Sequence, residues 1–210
     1  MTLTSDAPQV NGVDPGGAGN PEGNARLTAV TGAVLVLLLA VQGWTILSIS
    51  RLVTVHVFVG LLLTGPVCLK LASTGYRFVR YYTGAPAYRR QGPPPLAQRL
   101  LGPLMVASTV GVLATGLTLA LVGRDTGPVP VLLLHKAAFL CWVGVTSLHV
   151  LLHLPRLARL LGADLRRRSS QPGRPAPGRG RRWSALTLAL TAGTALAFAG
   201  VHLAATWQRG

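Results

Sequence analysis

Histidine is the residue type in this 210-residue chain whose placement could support chemistry within apolar sequence. Ionisable side chains are costly inside a hydrocarbon layer, so such histidines are candidates for function. None of the five carboxylates lies in the long apolar stretches, which argues against carboxylate proton relays, paired-carboxylate hydrolysis and di-iron sites. All five histidines do lie there: His56, His135, His149, His153 and His202.

The spacing of these histidines is that of ligands at defined depths in a helical bundle. His135 and His149 are 14 residues apart, which is about 21 Å and nearly four turns of helix, so both project from one face. His153 follows one turn later on that face. His56 and His135 each lie five residues into an apolar block. Facing each other at equal depth, they could be the two axial ligands of a low-spin haem.

Five apolar blocks must position these histidines, and each is long enough to cross about 30 Å of hydrocarbon. Half of the residues are hydrophobic and only 12% are charged, as expected for a multi-pass membrane protein. We predict an all-α integral membrane protein, an up-down transmembrane four-helix bundle with a fifth C-terminal helix. A tight turn near residues 48–51 separates the first two spans. The predicted spans are 27–48, 52–72, 100–122, 131–154 and 183–206. The fourth lies between Pro130 and Pro155, which mark its two ends.

The basic residues predict how the chain is oriented. The two long loops and their helix ends carry fifteen Lys and Arg residues, and the opposite side carries four, so the N-terminus is expected inside and the C-terminus outside. The net charge of +15 is therefore a topology signal, and nucleic-acid binding is not expected. The excess of Arg over Lys, with abundant Ala, Gly and Pro, suggests a GC-rich bacterial genome and hence the plasma membrane.

The remaining segments flank this membrane domain. Residues 1–25 are rich in Gly, Pro and Asn and predict a disordered tail. Residues 26–155 form the four-helix domain, 156–182 a basic cytoplasmic linker against anionic lipid, and 183–210 the fifth helix and a short tail. The aromatic and basic segment 75–82 is predicted to continue the second helix as an interfacial anchor.

The pattern resembles the membrane cytochromes b of the prokaryotic cytochrome b561 and formate dehydrogenase gamma-subunit type, over residues 27–155. The resemblance implies that His56 and His135 hold an outer haem b and that His149 holds an inner one. Arg51 and Lys136 lie at the depth where their charges could neutralise haem propionates. The function expected is electron transfer between a membrane partner of quinone type and a redox protein whose identity the sequence does not give. Any enzymatic role would be that of an oxidoreductase subunit.

The first apolar block departs from that pattern because it contains no histidine, so an inner haem would lack its second ligand. One haem is therefore the first expectation, and a second is left open. Lys70 is a conceivable unusual ligand, although a snorkelling role suits it better. His202 could compete as a ligand or line a quinone pocket. Two alternatives stay open: a haem-free scaffold or accessory subunit whose histidines make interhelical hydrogen bonds, and a small transporter that uses His149 and His153.

Overall fold

The computed structural model describes residues 21–90, 92, 96–123, 128–167 and 179–202. Most of the predicted tail, the middle of the basic linker and the last residues of the fifth predicted span lie outside the described residues. So does the side chain of His153.

Every regular element within the described ranges is a helix. Five of the helices are long and apolar enough to cross a membrane, so the chain is a multi-pass helical membrane protein by length and composition. This confirms the predicted fold class at the level of helices. The elements are α1 (Pro21–Ile46), α2 (Ile49–Tyr82), α3 (Pro86–Arg89), α4 (Leu96–Val122), α5 (Val131–Arg167) and α6 (Arg179–Gly200).

The helix α1 begins at Pro21, ahead of the first predicted span, because proline fits the first turn of a helix, where its missing N–H would have no intrahelical partner. It ends at a tight turn at residues 47–48, where the Leu47 N–H donates to the Trp44 carbonyl at 3.2 Å. The short turn predicted between the first two spans is confirmed.

The helix α2 is longer than a membrane requires. Its 34 residues correspond to about 51 Å of helix, and it runs through Tyr82, so the aromatic and basic segment does continue this helix. The chain then reverses at Gly84, whose φ of 87° suits a residue without Cβ. This reversal lets α3 fold back so that Tyr88 is buried, with its ring 6.1 Å from that of Tyr76.

The helix α5 does not end at Pro155. It continues to Arg167, whereas the part of it that is apolar enough to span a membrane is Val131–Leu152, close to the predicted span 131–154. Proline removes one intrahelical hydrogen bond, but helices tolerate a single such residue as a kink. The following residues are mostly leucine, arginine and alanine, which are strong helix formers.

The central helix is α2, which contacts α1, α4 and α6. Glycines bring α2 and α6 into backbone contact: a Cβ added at Gly65 would collide with the Ala189 carbonyl, and one at Gly193 with the Leu62 carbonyl. The rings of Phe58 and Phe198 meet farther along, with centroids 5.2 Å apart. Because residue numbers rise in α2 as they fall in α6 along this interface, the two helices are antiparallel.

The α4–α5 hairpin is joined through side chains. The Trp142 indole donates to the Thr109 hydroxyl at 3.1 Å, and the Thr146 hydroxyl lies 3.6 Å from the Met105 sulfur. These pairs make α4 and α5 antiparallel as well. The hairpin meets the remaining helices through α4 and α2, which sets the relative position of the two candidate haem ligands.

Candidate functional site

His56 lies half-buried on α2 against two polar side chains of α1. The Thr45 hydroxyl donates its single proton to the Gln42 carbonyl at 2.6 Å, and its oxygen lies 2.7 Å from His56 Nδ1. With its proton on the Gln42 carbonyl, that oxygen can accept a hydrogen bond from Nδ1–H. In that tautomer Nε2 carries a lone pair, the form that binds a metal.

The Gln42 amide also contacts His56. Its Nε2 lies 3.2 Å from each of the two imidazole nitrogens and 3.2 Å from the His56 carbonyl. The amide oxygen of Gln42 is buried without a hydrogen-bond partner among the described residues. The Gln42 amide nitrogen is thus equally close to both ring nitrogens.

His135 repeats this arrangement on the other hairpin. The Thr115 hydroxyl of α4 donates to the Gly111 carbonyl at 2.7 Å, and its oxygen lies 3.1 Å from His135 Nδ1. With the threonine proton used within its own helix, its oxygen can accept from Nδ1–H, and Nε2 then keeps its lone pair. A Cβ added at Gly116 would lie 3.0 Å from His135 Cε1. The glycine therefore lets the imidazole lie against the α4 backbone.

The two imidazoles belong to α2 and α5. Each is oriented by a threonine from the preceding helix of its own hairpin, as ligand histidines are commonly held by a hydrogen bond at the second nitrogen. Thr45, Thr115 and Gln42 were not singled out in the sequence. The signal available was a polar residue inside an apolar block, placed opposite a histidine across a short hairpin.

The other predicted site residues are placed differently. Arg51 and Lys136 are exposed, next to the candidate ligands along the chain. His149 is half-buried on α5, and His202 is exposed in a short turn after α6. The ammonium of Lys70 donates to the Thr28 carbonyl of α1 at 2.7 Å. This contact ties α1 to α2 far from His56.

No group of three or more His, Cys, Asp or Glu side chains converges within the described ranges. Such a group is typical of zinc sites, whereas an axial haem site needs only two imidazoles. The two cysteines, Cys68 and Cys141, are free and exposed.

Comparison of the chain with protein-family models, with curated proteins and with solved structures finds no match. The class that the structure supports is that of a multi-pass membrane protein with five candidate spanning helices.

Proposed function

We propose that this chain is a membrane-bound b-type cytochrome, with one haem held between His56 and His135. The observation that carries the proposal is the shared environment of these two imidazoles. The Nδ1 of each lies within hydrogen-bond distance of a threonine hydroxyl on the preceding helix, and a threonine that accepts from Nδ1–H would leave Nε2 its lone pair for a metal. The donor set of two neutral imidazoles is the one that low-spin haem iron takes.

The haem, when bound, would supply reversible one-electron transfer, and this chain would set its ligands, orientation and surroundings. Thr45 and Thr115 would fix the two imidazole planes and raise their basicity. Gln42, whose amide nitrogen lies beside the His56 ring, would have to move away from Nε2 for His56 to hold a haem. The exposed Arg51 and Lys136 would supply positive charge for the propionates.

The proposal includes the finer features expected of the cytochrome b561 and formate dehydrogenase gamma-subunit type. These are an N-terminus inside, a C-terminus outside, residence in the bacterial plasma membrane, and electron exchange with a quinone-type partner and a redox protein. A second haem at His149 has no support from α1, which contributes no histidine. One haem per chain is the form that we propose.

The test is an absorption spectrum of the full chain, purified in detergent from haem-replete cells, oxidised and then reduced with dithionite. We expect a reduced-minus-oxidised haem b spectrum with one haem per chain. His56→Ala and His135→Ala should each abolish it, whereas His202→Ala is the matched control and should retain it. His149→Ala reports on a second haem. A colourless wild-type protein would overturn the proposal.

One observation favours a second function, that of a haem-free scaffold. His56 contacts Gln42 and Thr45 of α1, and His135 contacts Thr115 of α4, so each imidazole also ties a hairpin together. In that case the histidine variants would change only stability, by about 0.6–1.7 kcal/mol per interhelical hydrogen bond. The spectrum of the wild-type protein decides between the two functions.

A further inference from the structure

The chain reverses direction just beyond α2, and this reversal brings arginines of two helices to one tyrosine. The ring of Tyr88 on α3 lies 6.1 Å from that of Tyr76 on α2. Arg80 follows Tyr76 by four residues, which places it on the same face of α2. The Arg89 guanidinium folds back over the turn, since a Cβ added at Gly84 would lie 3.9 Å from its Nη1. Basic side chains from α2 and α3 therefore lie around this turn.

The hydroxyl of Tyr88 is a hydrogen-bond donor that the protein leaves unused. Tyr88 is only 3% exposed, and its oxygen has no hydrogen-bond partner in the described part of the chain. Buried polar groups are almost always paired, and one that is not requires an explanation such as a bound water or ion. Burial raises the pKa of this phenol, Tyr76 adds to the rise, and the charges of Arg80 and Arg77 oppose it. The hydroxyl is therefore a neutral donor set among positive charges.

The positive charge around this turn is not neutralised locally. The chain has no Asp or Glu between Glu22 and Asp125, and within the described ranges Arg77, Arg80 and Arg89 make no ion pair. Arg80 and Arg89 are exposed, and Arg77 is half-buried. An anion at this turn would meet several guanidinium groups and a hydroxyl donor, a combination that suits the oxygens of a phosphate.

The depth of the turn is that of the headgroup layer of a membrane. Arg51 near the start of α2 and Arg80 near its end are 29 residues apart, which is about 43 Å of helix. The hydrocarbon core of a bilayer is about 30 Å thick, and both headgroup layers bring it to about 40–45 Å. With Arg51 in one headgroup layer, Arg80 therefore reaches the other. The exposed rings of Phe78 and Tyr82, with centroids 4.5 Å apart, are of the kind found at this level.

We propose that the α2–α3 cluster, formed by Arg77, Arg80, Tyr88 and Arg89, is a site for an anionic phospholipid. The headgroup phosphate binds the guanidinium groups and accepts a hydrogen bond from the Tyr88 hydroxyl. The occupant is a lipid and not a soluble phosphate ester, because the cluster lies at the level of the headgroups beside interfacial aromatic rings. In the predicted orientation this end of α2 faces the cytoplasm, where basic clusters next to a transmembrane helix bind acidic lipids. The proposal does not depend on the haem.

The test measures lipid binding to the full chain by native mass spectrometry, after the protein is freed of lipid in a neutral detergent. We expect phosphatidylglycerol to bind the wild-type protein about 10- to 100-fold more tightly than phosphatidylcholine, as follows from two or three arginines near a headgroup. Arg80→Gln combined with Arg89→Gln should reduce this ratio at least about tenfold. The matched control is Arg99→Gln combined with Arg181→Gln, which removes the same charge from exposed positions outside the cluster and should keep the ratio.

Tyr88→Phe distinguishes a built site from a general attraction to positive charge. It should weaken the binding of phosphatidylglycerol about tenfold, because a hydrogen bond to a charged group is lost. Tyr82→Phe changes an exposed ring outside the cluster and should leave binding unchanged. Equal binding of the two lipids by the wild-type protein would overturn the proposal, as would an equal loss in the arginine control or unchanged binding in Tyr88→Phe. Competition by millimolar glycerol phosphate would show that a soluble phosphate is the ligand, and this result would also overturn it.

Discussion

Two helix pairs of the bundle, α2–α6 and α4–α5, are held together in different ways. Towards α6, the interface is backbone against backbone, because Gly65 and Gly193 leave no room for a side chain. Within the α4–α5 hairpin, by contrast, polar side chains make the contacts, such as Trp142 with Thr109. Lipid is as apolar as leucine, so membrane helices associate through close packing of small residues or through interhelical hydrogen bonds. This chain uses close packing of small residues between α2 and α6, and interhelical hydrogen bonds between α4 and α5.

The largest expected effect follows from the glycine interface. Gly65→Val places a branched side chain against the Ala189 carbonyl of α6, and we expect it to lower the free energy of unfolding by about 3 kcal/mol or more. Gly144→Val on α5 is the matched control, because an added Cβ there meets nothing within 4 Å. Denaturation in detergent followed by circular dichroism measures both. Equal effects of the two substitutions would show that α2 and α6 are not in backbone contact.

A smaller effect is expected where a glycine meets a side chain. Gly116→Val should displace the His135 imidazole from α4 at a cost of about 1–3 kcal/mol. Under the proposed function it should also remove most of the haem signal. Gly111→Val on the same helix has open space around its added Cβ and should leave the haem content unchanged. The ratio of haem absorbance to protein absorbance is the measurement, and equal haem content in the two variants would contradict this prediction.

The threonine acceptors are expected to matter less for stability than the glycines. Thr45→Val and Thr115→Val each remove an acceptor for Nδ1–H and keep the side-chain shape, at a cost of about 0.6–1.7 kcal/mol of stability. Loss of such a bond typically weakens metal binding 10- to 100-fold, so haem titration of the apoprotein should show that loss in both variants. Thr118→Val is the control, since this exposed hydroxyl bonds only to the Ala114 carbonyl of its own helix. An unchanged haem affinity in both threonine variants would contradict the prediction that these threonines orient the two histidines for haem binding.

The smallest effect concerns Tyr88, which lies outside the spanning segments. Burial raises the pKa of its phenol above the ordinary value of 10.0, with Tyr76 adding to the rise and Arg80 and Arg77 opposing it. The folded protein therefore favours the neutral phenol, and stability should be full below pH 10 and fall as the pH rises towards the higher folded pKa. Tyr88→Phe should remove this fall and cost little at pH 7, because the hydroxyl has no partner among the described residues. Melting temperatures measured from pH 8 to pH 11 test this, and identical slopes in the two proteins would contradict it.

The sequence predicts the helices well and their mutual contacts less well. Apolar blocks long enough to cross a membrane and a short turn between the first two give the five spans, whereas the equal depth assigned to His56 and His135 stays a prediction. Hydropathy carries no information on which helix faces which, so the packing of α6 on α2 could not be derived. Nor does hydropathy show that α5 would continue past Pro155, since proline signals a boundary only statistically. The roles of Thr45 and Thr115 depend on rotamers that a residue pattern does not encode.

The length of α2 couples its two ends. The helix that carries His56 also carries the aromatic and basic segment that ends at Tyr82, with Pro66 inside the helix between them. A shift or rotation of the whole helix would move the imidazole and this segment together. A deletion of one residue between His56 and Tyr76 would turn the two ends by about 100° relative to each other. The number of residues between these two points therefore sets the height and angle of the imidazole relative to the aromatic and basic segment.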